Sequence, residues 1–400
     1  MLARIKPYIP IFLLTAGHGA VDSYLGFMPV LVPMVASTLQ IPMGDVVMLV
    51  GITALVNNLS QPLIGYIIGR KNLSWTLWFA IALSSLPVFM GYTTGFWSLA
   101  ILSVLGGIGT GLYHPEGLLA THDAAGDKAY LGIPLFMAGG AAIYAMATPL
   151  SIRLTESFGL KALVIFLVPG LLLSAIFFAQ YRKRKREHPS IVIRPRSKRM
   201  TQLRAGGISF WPLLAVSVCF CVASGLFLSV LSSHYELLFG PDARSWSGWV
   251  LMVMGVGASL SSFMWSALSK RIGFYLLAFL TQIVAVPLFV LMANPTTPEW
   301  GLVLAIPLCL VTPAAIHPVG VALSHNAAGS TKGLRASLMV GGTYAVTSLA
   351  IMLAGVLLRR GMPSGDIILF VAGCSLLALL LAGWQLVVAR KNGSKGDRRF

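Results

Sequence analysis

Apolar runs of about twenty residues recur from one end of this chain to the other, and no other feature restricts its fold so strongly. A hydrocarbon core of roughly 30 Å is crossed by about 20 apolar residues in a helix. A chain in lipid must also satisfy its own backbone hydrogen bonds. The runs therefore read as membrane-spanning helices, near 8–35, 46–69, 73–92, 97–121, 130–152, 160–181, 209–237, 246–268, 273–293, 300–323, 336–358 and 365–389. Composition agrees, because only 10% of the 400 residues are charged and 56% are hydrophobic, where a soluble domain carries about 25% charged residues. The 41 glycines and 22 prolines suit membrane helices, in which both are commoner than in soluble ones.

The net charge of +17 does not point to nucleic acid. Lys and Arg sit in short clusters between the apolar runs, so they carry topology rather than form a duplex-binding face. With both termini placed in the cytoplasm, 24 of the 29 Lys and Arg fall on the cytoplasmic side and only Arg153, Lys161, Arg244, Arg359 and Arg360 on the other. Arg4 and Lys6 precede an apolar run that continues past Asp22 towards Ala36. That continuity makes it a first span rather than a cleaved signal. Cys219, Cys221, Cys309 and Cys374 all lie in apolar runs and read as small packing residues.

The one long polar stretch, with Arg182-Lys183-Arg184-Lys185-Arg186 and five later basic residues, reads as a solvated loop. It divides the chain into a six-helix bundle over 1–181, a basic cytoplasmic linker over 182–207, and a second six-helix bundle with a short basic tail over 208–400. The two halves repeat each other. Tyr113-His114-Pro115-Glu116-Gly117 matches Ile316-His317-Pro318-Val319-Gly320, and His122-Asp123-Ala124-Ala125-Gly126 matches His325-Asn326-Ala327-Ala328-Gly329, each 203 residues later. Met137-Ala138-Gly139-Gly140 faces Met339-Val340-Gly341-Gly342 after a slip of one residue. Six spans per half make the repeat parallel. The expected fold is thus an all-α membrane protein of twelve transmembrane helices in two parallel-repeat six-helix bundles, the major facilitator arrangement.

The chain also resembles one branch of that superfamily, the fosmidomycin-resistance family of drug exporters. The likeness rests on His18-Gly19-Ala20-Val21-Asp22-Ser23-Tyr24 with Pro29 and Pro33, on Gln61-Pro62-Leu63-Ile64-Gly65-Tyr66, on Gly111-Leu112-Tyr113-His114-Pro115-Glu116-Gly117, and on Gly139, Gly140 and Pro149. It covers most of the first half and, more loosely, the second. The resemblance implies a proton-driven drug antiporter whose first, fourth, seventh and tenth spans line a central cavity. The superfamily's usual Gly-x-x-x-Asp-Arg pattern reads Gly65-Tyr66-Ile67-Ile68-Gly69-Arg70 here, and the second half has Ser269-Lys270-Arg271. The acid is missing from both, which leaves Arg70 and Arg271 as gating residues or plain span anchors.

An ionisable group inside a span costs roughly 2.5–3.5 kcal/mol on insertion scales and is a functional candidate by default. Asp22 lies mid-span, and His18, four residues earlier, shares its helix face. Burial holds a proton on a carboxylate and a nearby imidazolium releases it, a combination suited to exchange near neutral pH. Glu116 and His114 flank Pro115 on the fourth span. These four are the proton-coupling candidates. The alternative for Asp22 is a fixed hydrogen bond between spans. For His114 and His317 it is repair of the carbonyls of Gly111 and Ala314, which the following prolines leave unbonded. Candidates for the cavity wall are Tyr24, Asn57, Gln61, Tyr113 and His317, with Tyr144 and Tyr344 as further aromatics. Gly139, Gly140, Gly341 and Gly342 permit close helix approach. His234 and Glu236 end the seventh span, where an interfacial position is expected.

No phosphate-binding Gly-Lys-Ser/Thr loop is present, no Cys/His spacing fits a zinc site, and no cofactor or enzymatic activity is expected. The reading is a bacterial inner-membrane secondary transporter, monomeric, exporting a small molecule by proton antiport through alternating access. An uptake symporter of the same fold is the alternative, and a non-transporting membrane sensor a more distant one.

Overall fold

The computed structural model describes residues 8–68, 74–126, 129–187, 208–324, 327–328, 335 and 338–391. Arg70, His325 and residues 188–207 of the expected linker lie outside the described residues.

Every expected span is mostly helical where described. The helices are α1 (Ile9–Val30), α2 (Val32–Leu39), α3 (Met43–Ile68) and α4 (Thr76–Ser84). α5 (Phe96–Ala125), α6 (Ala129–Phe158) and α7 (Leu167–Glu187) follow. The second half has α8 (Phe210–Phe239), α9 (Arg244–Ile272), α10 (Phe274–Met292), α11 (Pro298–Val311), α12 (Pro313–Ser324), α13 (Thr343–Arg359) and α14 (Ser364–Lys391). Among the described residues ten helices are long and apolar enough to cross a membrane, and the bent pair α1–α2 makes an eleventh. The third segment is a shorter apolar helix, Thr76–Tyr92, in which α4 tightens to a 3₁₀ turn over Leu86–Tyr92. The fold is all-α and consistent with the twelve-helix expectation.

Two spans that read as continuous are interrupted, and prolines account for both. The first bends by 61° between Val30 and Val32, where Pro29 and Pro33 each lack an amide donor for the helical ladder. The tenth breaks at Thr312, which has φ −56° and ψ 144°. Thr312 precedes Pro313, whose ring drives the preceding residue out of the helical region. Pro115, by contrast, sits within an unbroken α5. The basic cluster expected to be loop from residue 182 continues α7 as far as Glu187, with Arg184, Lys185 and Arg186 in the last turn. Cations are favoured there by the negative end of the helix dipole.

The chain divides into two compact units, Met1–Pro42 with Ile52–Ser197, and Met43–Gly51 with Lys198–Phe400. In the first unit α1 packs along α6 and α5 over a core that includes Leu14, Val21, Tyr113 and Phe136. Small residues permit the approach: a Cβ on Gly17 would meet the Tyr113 ring, and one on Gly139 would meet Thr15. Close contact of this kind, rather than a hydrophobic drive, holds helices together in lipid. In the second unit α8 packs against α14, α13 and α12, around Phe210, Phe220, Phe274 and Ile316. The first turns of α3 belong to this unit: Gly44 lies against the backbone of Gly355, Gly51 against Met352, and Arg359 Nη1 donates to Asp45 Oδ1 at 2.7 Å.

Candidate functional site

Three spans of the first unit converge on Asp22. α1 carries His18 and Asp22 on one face, and His18 Nε2 lies 3.2 Å from Asp22 Oδ2. α5 brings His114, whose Nε2 lies 3.3 Å from Asp22 Oδ1. The two imidazoles meet edge to face with centroids 5.0 Å apart. α6 supplies the floor: the Phe136 ring stacks on His18 at 4.3 Å. Gly140 leaves the room, since a Cβ there would come within 2.1 Å of His18 Nδ1. Side-chain exposures of 24% for Asp22 and 22% for His114, against 6% for His18, leave one side of the cluster accessible.

The hydrogen bonding fixes one tautomer. His18 Nδ1 lies 2.9 Å from the Phe136 carbonyl. A carbonyl oxygen only accepts, so Nδ1–H donates. In neutral His18 the Nε2 is then an acceptor 3.2 Å from a carboxylate oxygen, and two acceptors that close repel. A proton on Nε2 or on Asp22, or another cation, relieves that repulsion. Nothing fixes His114 in this way, because its buried Nδ1 has no partner and its Nε2 is free to donate or accept.

Of the four proton-coupling candidates, Asp22, His18 and His114 come together. Glu116 is fully buried two positions along α5 from His114. The backbone-repair geometry is absent at both His-Pro pairs. His114 turns Nε2 to Asp22, and His317 turns Nε2 to Cys221 Sγ at 3.4 Å, its Nδ1 unpartnered. Cys221 stands 203 residues after His18, as His317 does after His114. The two contacts therefore occupy the same positions of the repeat. Gly225 and Val319 stand where the first half has Asp22 and Glu116, so the second copy of the site carries no acid.

Several other residues singled out from sequence have structural partners. Tyr24 and Tyr113 are buried and donate to the carbonyls of Phe166 and Leu14, both at 2.7 Å. Gln61 reaches Asn57 Oδ1 at 3.4 Å. Tyr144 lies against Gly26, and Tyr344 meets the His317 ring edge to face. Gly341 and Gly342 fall in a π-helical turn, Leu338–Gly342, and Gly342 makes no approach as close as that of Gly140. Arg271 is exposed in the last turn of α9, and His122 lies 3.6 Å from Asp123. His234 is not interfacial. It is fully buried, with Nδ1 2.9 Å from Ser364 Oγ and Nε2 3.1 Å from the Met292 carbonyl, because a polar ring inside apolar packing must find partners for both nitrogens. Glu236 pairs with Arg244.

Phe136 and Cys221 carried no signal when read singly. The repeat offset marks Cys221 once His18 is suspected, whereas Phe136 acts through its backbone carbonyl and ring face.

The sequence pattern of the Major Facilitator Superfamily matches residues 11–329. Solved structures share the fold at low identity. A bacterial homolog of the human lysosomal transporter Spinster, in an inward-facing and occupied conformation, is 13% identical over 95% of this chain and 96% of its own, with a TM-score of 0.68. A peptide transporter in complex with sulfate is 14% identical over 97% of this chain and 96% of its own, with a TM-score of 0.72. A mutant form of a peptide transporter in complex with alafosfalin is 14% identical over 95% of each chain, with a TM-score of 0.69. No curated protein matches.

Proposed function

We propose a coupling role for Asp22 from one premise: this chain belongs to the Major Facilitator Superfamily and is a membrane-embedded secondary transporter. In our reading it exports a small molecule by proton antiport across a bacterial cytoplasmic membrane, with both termini inside. Two six-helix bundles rock about a midplane cavity and expose it alternately. The observation that carries the reading is the His18–Asp22–His114 cluster. Its 3.2 and 3.3 Å contacts, with His18 Nδ1 already committed to Phe136, give one exchangeable proton a defined seat. A proton arriving from outside changes the charge there, and a charge inside a membrane is costly enough to bias which state is populated. His114, with Nε2 uncommitted, is placed to relay it.

The cargo we favour is not strongly anionic. None of the 29 Lys and Arg falls in the central part of a span under the topology given above, whereas anion carriers of this size rely on such cations. The test begins with a drug-susceptibility screen of a deletion strain to find a cargo. The cargo is then followed in proteoliposomes with an imposed pH gradient. Native protein should move it against the proton flow. Asp22→Asn should keep counterflow but lose the response to the gradient. Unchanged coupling in that variant rules the reading out, and movement of cargo with the protons identifies the symport alternative.

A further inference from the structure

The cluster that seats the proton also has the donor set and spacing of a metal site. We propose that His18 Nε2, the Asp22 carboxylate and His114 Nε2 form a three-ligand site for a borderline divalent transition-metal cation of the zinc class, with one coordination position open.

Four observations support it. The three groups offer one ligand atom each, all within 4.8 Å of one another. The spacing is in the range of four-coordination: bonds of about 2.0–2.1 Å place ligand atoms about 3.3–3.4 Å apart along a tetrahedral edge, and each imidazole Nε2 stands that far from one of the two Asp22 oxygens, His18 3.2 Å from Oδ2 and His114 3.3 Å from Oδ1. An outer shell is in place as well. A metal-bound histidine donates its other N–H to a carboxylate or backbone carbonyl, which sets the tautomer and turns the lone pair to the ion. His18 Nδ1 does so to Phe136 at 2.9 Å, while the stacked Phe136 ring and the bare Gly140 hold the imidazole in that plane. Finally, the side-chain exposures of 24% and 22% at Asp22 and His114 leave room for a water or cargo atom as fourth ligand.

The donors decide the class of ion. Two imidazoles and one carboxylate favour zinc, cobalt, nickel or copper, whereas magnesium and calcium prefer all-oxygen shells. The sequence conceals the set because His114 comes 92 residues after Asp22 on another helix, so no short motif spans all three ligands.

The experiment uses the full chain in detergent, any polyhistidine tag removed, stripped with chelator and titrated with Co2+ while visible absorption is followed. We expect one saturable Co2+ per chain with the intense bands of a low-coordinate ion, displaced by Zn2+ and unaffected by Mg2+. Asp22→Asn and His114→Gln should each weaken binding by more than the about 10–100-fold that loss of an outer-shell partner costs. Gly140→Ala, which displaces His18, should fall within that range, and His122→Gln should leave affinity unchanged. Absence of a saturable signal from the native chain overturns the proposal even if a variant fails to fold. Binding that survives both Asp22→Asn and His114→Gln does the same. Because binding is read at equilibrium without transport, failure here leaves the coupling reading standing, and failure of coupling in proteoliposomes leaves this one standing.

Discussion

Asp22 Oδ1 and His114 Nε2 lie 3.3 Å apart although 92 residues separate them in the chain. The contact joins the first and fourth spans at the point where His18 also meets the same carboxylate. It turns a lone acid in an apolar helix into a three-group centre with a countable proton.

His18 and His114 should differ in what they lose on substitution. His18→Gln removes a stacked ring, worth about 0.5–1.5 kcal/mol, and the Nδ1–H hydrogen bond to the Phe136 carbonyl, worth about 0.5–1.5 kcal/mol net. His114→Gln loses only the edge-to-face contact with His18, because His114 Nδ1 has no partner to forfeit. Thermal unfolding in detergent should therefore show a clear loss for His18→Gln and a small one for His114→Gln, while both impair the response to a pH gradient. Equal melting temperatures would contradict the clamped role given to His18.

Gly140→Ala should damage coupling without touching a titratable group. The added methyl would meet His18 Nδ1 at 2.1 Å, so the ring must leave the Phe136 carbonyl or the helices must part. Overpacking of this kind costs about 1–3 kcal/mol. A transport assay across pH values should show a flattened profile. A profile and stability like those of the native chain would mean that the ring has freedom the geometry denies it.

The Asp45–Arg359 pair should matter to conformation more than to stability. Arg359 is 60% exposed and Asp45 14%, and pairs with an exposed member contribute about 0–1 kcal/mol. Yet the pair fastens the start of α3 to the end of α13, so its loss should free that end of α3 to move. Asp45→Asn should shift the accessibility of engineered cysteines near residue 48 with little change in melting temperature. A charge swap, Asp45→Arg with Arg359→Asp, should restore it. A large loss of melting temperature in Asp45→Asn would instead mark the pair as structural.

His234 should prove structural. Its ring is fully buried and bonded through both nitrogens, to Ser364 and to the Met292 carbonyl. His234→Ala removes a ring and strands both partners, so a loss of about 2–4 kcal/mol is expected, read as a lowered melting temperature with proton coupling retained in whatever protein folds. Ser364→Ala should cost less, since Met292 keeps its donor. Normal stability with abolished coupling would instead give His234 a functional role.

Much of this was legible beforehand, residue by residue. Asp22 stood out because an acid in an apolar run is costly, and His18 followed from the helical period. His114 was a proton-coupling candidate with repair of the backbone beside Pro115 as its alternative, since sequence spacing says nothing about which way a ring turns towards another helix. The interruptions at Leu31 and Thr312 lay in the prolines at 29, 33 and 313, yet an apolar run looks continuous whether or not its axis bends. Tyr24 and Tyr113 read as cavity candidates because an aromatic with a hydroxyl suits a pocket and a packed interface alike. Only the positions of the Phe166 and Leu14 carbonyls show where those hydroxyls are used.

Read alone, the chain specifies an all-helical membrane fold, an internal repeat and the positions of its few ionisable residues. Those follow from composition and period, and in lipid the demand for internal backbone hydrogen bonds leaves little choice. Tertiary structure alone decided that His18, Asp22 and His114 share one centre, that Phe136 fixes the tautomer of His18, and that the second copy of the site pairs a thiol with His317. Each depends on how helices distant in the chain are rotated against one another. That rotation is set by the sum of many small packing contacts, such as Gly140 beneath the imidazole, and not by any one residue read alone.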